Sequence, residues 1–536
     1  MVRTRYMAFL TAVIASLTMG SASAATYFVS TIGSDTGGDG STAKTWRSIG
    51  FGITKMASGD TLIVKSGTYS DMANFIHSPN YNIPSGAPGK YTTIMAEQPG
   101  SVRIRNTGTL DYEDNMVQLA SGTNYVKVDG FIFEMANTAY PPYIAEMNGN
   151  YNKLTRNIFK RSGVTDNYGG WVEIGGNDNL LEDCAGVGSA RYGFKVGGAS
   201  SSTQRNILRR CVGRVDYSSS DQPKATFSVY GNDNVASGVR DVLLQNCIAV
   251  DSRKGPTSGD VTYGGVLFPK NVIGSAIQGS IVLNVEAEYA GFFIKEQGAQ
   301  NLRIMDSIAW GGYGGSSIAG VRANSSGPGY FTVDHMTVGG YSTGYYNKES
   351  ASTRSLTNSV FVNNATLTSS SDAGWTSISN NGFFPASQLK GLLGVSLAGP
   401  DLKYIVRVEP GSALSGKGSD GADIGANVTK RYGKTGTLWG EAGYDQITTE
   451  SLWPWLYEDK IKAVFSEPNT PPPGAVPASN DTTRGFAAGT DKFGKPMTLT
   501  RYVWQFLGNE IPAEIYGNVT ATPVYAPLGL KAAVLP

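Results

Sequence analysis

A four-residue phrase recurs along the chain and limits the folds open to it. Leu181-Glu182-Asp183-Cys184, Leu208-Arg209-Arg210-Cys211 and Leu244-Gln245-Asn246-Cys247 share one frame. Traced outward, its fourth position falls at Asp129, Asn157, Cys184, Cys211, Cys247, Ser280, Ser307, Met336 and Ser359, at intervals of 28, 27, 27, 36, 33, 27, 29 and 23 residues. Five positions earlier stand Asn124, Asn152, Asn179 and Asn206, with Asp241 and Asn301 six earlier in two longer repeats. Between these lies a second phrase, a small residue followed by short apolar alternation: Gly193 to Val196, Thr226 to Val229, Gly265 to Phe268, Gly291 to Ile294, Gly320 to Ala323 and Gly344 to Asn347. Each period therefore holds at least two short strands and no helical stretch.

Short strands at such a period, with a turn column of Asn in register, make a solenoid whose like strands stack in parallel: an all-β parallel β-helix. The leucine-rich-repeat frame is missing. The three cysteines lie at intervals of 27 and 36 without a CxxC pair, which fits no zinc ribbon. Cys184 and Cys211 are predicted to stack inside adjacent rungs as free thiols, since a small side chain suits a tight interior.

A solenoid has two open ends that need covering. Trp46, Ile49, Ile53 and Met56 recur at helical spacing and predict an amphipathic N-terminal cap helix. After Gly421-Ala422-Asp423-Ile424-Gly425 the repeat stops, and Trp439, Trp453, Trp455 and Trp504 surround a Pro-rich stretch. Residues 429–536 are predicted to be a C-terminal capping or accessory region, with amphipathic segments at Glu458 to Phe465 and Thr500 to Leu507. The solenoid domain is expected over 25–428. Residues 1–24 read as a secretory signal peptide: Arg3 and Arg5, an apolar run from Met7 to Met19, then Ala22-Ser23-Ala24. No later stretch suits a transmembrane segment, so the protein is expected to be secreted, extracellular or periplasmic. Lys plus Arg number 44 against 43 Asp plus Glu, a net charge of +1, so no global field marks a nucleic-acid partner.

The ends of the repeat resemble a known family. Thr26-Tyr27-Phe28-Val29-Ser30, Gly33-Ser34-Asp35, Trp46-Arg47-Ser48-Ile49, Gly59-Asp60-Thr61 and Ser66-Gly67-Thr68-Tyr69, with Asp423-Ile424-Gly425-Ala426, are similar to the signatures of secreted right-handed parallel β-helix proteins of the pectate-lyase-like superfamily. The resemblance implies a right-handed coil and a carbohydrate-active protein. That superfamily holds lyases, hydrolases, epimerases and adhesins, so activity must be argued from residues.

Strand parity in the second phrase puts Lys195, Ser228, Leu267, Phe293, Arg322 and Tyr346 in one outward column and Tyr230, Pro269, Lys295, Asn324 and Lys348 in the next. Lys195, Tyr230, Tyr346 and Lys348 are predicted to bind sugars along one groove. Glu286 and Glu288 precede Lys295, and acids beside a base suit β-elimination from a uronate. A hard cation on the acids neutralises the sugar carboxylate, a Lys removes the C5 proton, and a second group assists the leaving oxygen. The segment resembles the alginate-lyase and chondroitinase-B type of β-helix enzyme. That resemblance implies Glu286 and Glu288 as calcium ligands, Lys295 as base and Arg322 as acid.

With only His77 and His335 in the chain, histidine triads have little support, and no HExxH occurs. Gly411 to Lys417 misses the P-loop frame because Gly418 follows the lysine. Two classes remain. One is a polysaccharide lyase acting on an acidic glycan; the other is a non-catalytic extracellular glycan-binding, adhesive or matrix protein.

Overall fold

The computed structural model describes residues 24–108, 110, 114–136, 143–162, 169–198, 202–217, 224–231, 238–253, 264–295, 300–324, 331–347, 354–369, 375–384, 394–396, 402–468 and 483–517. Residues 1–23 of the expected leader, and Lys348, lie outside them.

Three long parallel sheets form the solenoid, of thirteen, thirteen and eleven strands. The first begins at Thr26–Val29, the second at Gly67–Ser70 and the third at Ile76–His77, and from Thr61–Val64 to Thr366–Ser369 each turn of the chain adds a strand to every sheet. This is a parallel β-helix, and crossovers between parallel strands give it a right-handed wind.

Left-handed residues mark the corners. Tyr125, Tyr151, Asp178, Arg205, Asp241 and Asn301 have positive φ ahead of the first sheet, and Arg156, Asp183, Arg210, Asn246, Asp306, His335 and Asn358 between the first and second. Asn and Asp, whose short side chains tolerate this conformation, fill seven of these thirteen positions, and Tyr, Arg and His fill the other six.

The turn column of Asn resolves into two ladders. Asn152 N–H donates to Asn179 Oδ1 and Asn179 N–H to Asn206 Oδ1, each at 2.8–2.9 Å. Asn124 belongs to a separate ladder two residues earlier, in which Asn150 N–H donates to Asn124 Oδ1 and Asn177 N–H to Asn150 Oδ1. The phrase also shifts at its start. Thr155 pairs with Asp129, so Asn157 stands beside Phe131, whose N–H donates to Asn157 Oδ1. Asp129 is instead an ion-pair partner of Arg156 and Lys127. From Asn157 onward the column runs as expected. Cys184, Cys211 and Cys247 are buried free thiols, and Cys211 Sγ lies 3.6 Å from the Leu181 carbonyl one rung below. Ser280, Ser307 and Ser359 continue it through N–H···Oγ bonds.

The small residue heading the second phrase has a steric cause. A Cβ on Gly320 would lie 2.2 Å from Val338, and one on Gly265 would lie 2.5 Å from Val282, both on the facing sheet. Those positions and the ones after them both point inward, leaving no room for a second side chain.

At the N-terminal end the helix spans only Ile49–Ile53. Trp46 precedes it in a bridge to Val29, and Gly50 and Gly52 keep the helix short. The C-terminal residues lie along the side of the solenoid. Ile132, Ile158, Val212, Ile248, Ile281, Ile308 and Val360 point outward from the second sheet into an apolar layer formed by residues 402–428 and by Leu452, Trp453, Trp455, Ile461, Phe465, Val503 and Trp504. Glu458–Phe465 and Leu499–Trp504 are its helices. No described helix is long and apolar enough to cross a membrane.

Residues 416–425 are pinned to a corner of the coil. His335 Nδ1 is 3.2 Å from Asp334 and Nε2 is 3.5 Å from Asp420, while Ser419 and Gly425 bond to Asn358. Burial lowers the His335 pKa, but the hydrogen bond and charge of Asp334, with Asp306 and Asp420, outweigh it and raise the value above 6.5. A raised histidine value stabilises the folded state below the unfolded value and loses that contribution as pH rises through the folded one. His335→Asn keeps a residue suited to positive φ. The excess melting temperature of wild type over His335→Asn should therefore shrink as pH rises from about 6.5; a pH-independent difference would contradict this.

Candidate functional site

Strand pairing lines up one outward column of the third sheet, rung by rung: His77, Gln118, Glu146, Glu173, Lys195, Ser228, Leu267, Phe293, Arg322 and Tyr346. The six residues expected to share a column do so. The column is not one open groove, however. Ser228, Leu267 and Phe293 are 1%, 0% and 2% exposed, and Leu267 and Phe293 belong to an apolar cluster with Tyr192, Ala225 and Ala290. That closed stretch separates two ends.

The lower end is polar. Glu146 and Glu173 stand on consecutive rungs, about 4.8 Å apart by strand spacing, and Lys195 follows on the next. Lys195 Nζ is 2.6 Å from Glu173 Oε1, with side chains 15% and 23% exposed. The same ammonium lies 5.6 Å from the ring centres of both Tyr143 and Tyr230. Tyr230 is partly exposed and meets Tyr192 edge-on at 5.8 Å. Tyr143 is buried, and its hydroxyl has no hydrogen-bond partner among the described residues. Asn148 Nδ2 is 3.4 Å from Glu146 Oε2. Burial, then the charge of Glu173, raises the Glu146 carboxyl above its usual range, against bonds from Asn115 and Asn148 and the charge of Lys195.

His77, Gln118, Glu146 and Glu173 are the residues that the sequence reading missed. Their signal is the apolar-polar-apolar alternation of Val117-Gln118-Leu119, Ala145-Glu146-Met147 and Val172-Glu173-Ile174. These strands lack the leading small residue of the later phrases.

The upper end is aromatic. The Arg322 guanidinium carbon lies 4.3 Å from the ring centre of Tyr346, 4.8 Å from Tyr289 and 5.5 Å from Phe293. Its Nε donates to Asn324 Oδ1 at 3.2 Å. Lys295, half-buried, follows the strand Ala290–Ile294 one rung earlier, and its N–H bonds the Phe268 carbonyl. Arg322 stands beside Phe293 in the ladder, and Lys295 is in the neighbouring column.

Glu286 and Glu288 sit before that strand at a corner. Glu286 pairs with Tyr313 in a two-stranded ribbon, and the two acids flank buried Ala287. Among the described residues, no group of three or more carboxylates, histidines and cysteines converges on a point suited to a metal ion. A hard cation takes carboxylate and amide oxygens together with water. Glu146, Glu173 and Asn148 supply such oxygens on the lower face, where Asn148 Oδ1 occupies the space that a Cβ on Gly175 would enter, at 2.4 Å.

No protein-family model matches the chain, and no curated protein does. Solved structures similar to it include pectate lyase Pel9A, at TM-score 0.46 and 15% identity over 75% of this chain and 96% of that one. A mannuronic-acid-specific family 6 polysaccharide lyase from human gut microbiota is similar at TM-score 0.42 and 12% identity, covering 70% and 92%. The family 6 polysaccharide lyase Pedsa3628 from Pseudopedobacter saltans is similar at TM-score 0.38 and 13% identity, covering 69% and 96%.

Proposed function

We propose that this chain is an exported carbohydrate-active enzyme that cleaves an acidic, uronate-containing polysaccharide by β-elimination on the outward face of the third sheet. The observation that carries the proposal is the run Glu146, Glu173, Lys195 on three consecutive rungs, with Lys195 2.6 Å from Glu173. It brings together two acids and a base, the set of groups that the chemistry requires. In this reading Lys195 Nζ, as free amine, takes the C5 proton of the uronate. The C–H electron pair becomes the C4–C5 double bond, and the C4–O bond breaks. Tyr230, partly exposed beside Lys195, gives its hydroxyl proton to the leaving oxygen. Glu146 and Glu173, with Asn148, would hold a hard cation such as calcium, whose charge would neutralise the sugar carboxylate. Arg322 and Tyr346, at the far end of the same column, and Lys295, in the neighbouring one, then serve as sugar contacts.

The test is the ultraviolet absorbance of unsaturated uronate ends, with alginate, pectate and glycosaminoglycans as substrates, with and without calcium. Lys195→Ala should lose about 10²–10⁴-fold in turnover, the usual cost of a general base, while exposed Lys55 can be changed to Ala without effect. If Lys295→Ala abolishes turnover and Lys195→Ala spares it, the reactive centre is at the upper end. A wild type that binds the glycan and never yields unsaturated ends, from neutral to alkaline pH, is a glycan-binding protein instead.

A further inference from the structure

Arg322 is a half-buried cation with no counter-ion among the described residues. Three rings enclose its guanidinium, and among the described residues its one hydrogen bond is from Nε to the neutral amide of Asn324. Among the described residues no carboxylate pairs with it, whereas Arg103, Arg156, Arg205, Arg209, Arg210 and Arg214 each have an acid within 3 Å. Burial lowers its pKa, and only Tyr346 and Tyr289 oppose that. Aromatic faces hold a guanidinium by its plane and leave its N–H edge open to a further acceptor; the Arg322 terminal nitrogens are not buried. The planar fork of two terminal nitrogens matches a carboxylate in two parallel bonds.

We infer that Arg322 in its Tyr289, Phe293 and Tyr346 box is an anion-reading subsite that takes the carboxylate of a uronate residue distant from the cleavage point. Four rungs separate Lys195 from Arg322, about 19 Å at the spacing of adjacent strands. The acidic sugar that Arg322 reads is therefore several residues along the chain from the one at Lys195. The closed stretch at Ser228, Leu267 and Phe293 offers no exposed charge between the two ends of this column, so a glycan spanning them is gripped at both ends. The assignment of the carboxylate rests on the proposed function; the need of Arg322 for an anion does not.

The experiment is calorimetric binding of size-graded oligogalacturonates, used as the probe, to the full-length protein. A hydrogen bond to a charged group contributes about 1.5–3 kcal/mol, so Arg322→Ala should weaken oligomers long enough to span both ends by about 10–100-fold. Oligomers too short to reach should bind as they do to the wild type. Arg322→Lys, which keeps the charge and loses the fork, should fall between, as should Tyr346→Ala, which removes one wall. Methyl-esterified oligomers should not distinguish wild type from Arg322→Ala. Unchanged affinity of long oligouronates for Arg322→Ala overturns the inference, as does equal weakening of short and long ones, which would put Arg322 at the reactive centre. If only sulfated oligosaccharides discriminate between the proteins, the commitment to a carboxylate falls. Because binding is read without turnover, loss of long-chain affinity in a protein that makes no unsaturated ends would retain this subsite and reject the lyase.

Discussion

Ending the chain at Val428 is expected to leave a protein that aggregates. The second sheet turns a row of apolar side chains outward, among them Ile132, Ile158, Val212, Ile248, Ile281, Ile308 and Val360, all nearly or fully buried. Truncation strips Trp453, Trp455, Phe465, Val503 and Trp504 from the layer above them. Val360 keeps the cover of residues 402–428, where a Cβ on Gly425 would lie 2.9 Å from it, but covering a Val or Ile side chain contributes about 1.5–3 kcal/mol, so up to roughly 9–18 kcal/mol attaches to the other six. The bared stripe would also exceed the few hundred Å² of contiguous apolar surface typical of soluble monomers. Size-exclusion chromatography and thermal unfolding of the truncated chain check this. A soluble monomer with the melting temperature of the whole protein would show that the layer stabilises nothing.

The second large effect is expected at Arg209, which fastens residues 434–444 to the first sheet. Arg209 and Glu182 are essentially buried and 2.9 Å apart. Arg209 also donates to Gln245 Oε1 and to the carbonyls of Lys434 and Tyr444, while Gly436 N–H donates to Glu182. Gly433, at φ 70°, passes so close that a Cβ would lie 2.4 Å from Arg209 Nε. Arg210 and Asp183 complete the cluster at 2.6 Å, so two arginines balance two acids. Arg209→Ala leaves one negative charge uncompensated in the interior and should cost about 3–5 kcal/mol. Adding Glu182→Gln restores neutrality, so the double variant should be more stable than Arg209→Ala, by comparison of urea midpoints. A double variant weaker than the single would mean that lost packing, and not unbalanced charge, sets the cost.

These two sites mark where sequence reading stops. The coil was legible because each rung repeats the same local demands. A left-handed corner favours Asn or Asp, an interior column favours Cys or Ser, and two adjacent inward positions favour a small residue at the first. Such demands are met by residues close in sequence, and repetition makes them visible. The slips at Asp129 and Asn124 occurred at the start of the repeat, where few rungs constrain the register.

The site was legible in part. Alternation placed Lys195, Arg322 and Tyr346 in one column, since parity within a strand is local. It could not show that Leu267 and Phe293 close the middle of that column, because burial of an outward side chain depends on what folds over it. Nor did it find Glu146 and Glu173, whose strands are three residues long and whose alignment with Lys195 follows from turn lengths over several rungs. The proximity of Lys195 to Glu173, and the absence of an acid at Arg322 among the described residues, are equally products of register.

The sequence by itself determined the parallel coil, its corner residues and its thiol and serine column. Only the tertiary structure decided which faces are closed, where the C-terminal layer sits, and which charges meet. Ile132, Ile158 and Ile248 held a trace of that layer, being outward residues next to inward apolar ones, the pattern of a sheet buried on both faces. The covering residues lie a hundred or more positions away in sequence, and no local period links them to the strands that they cover.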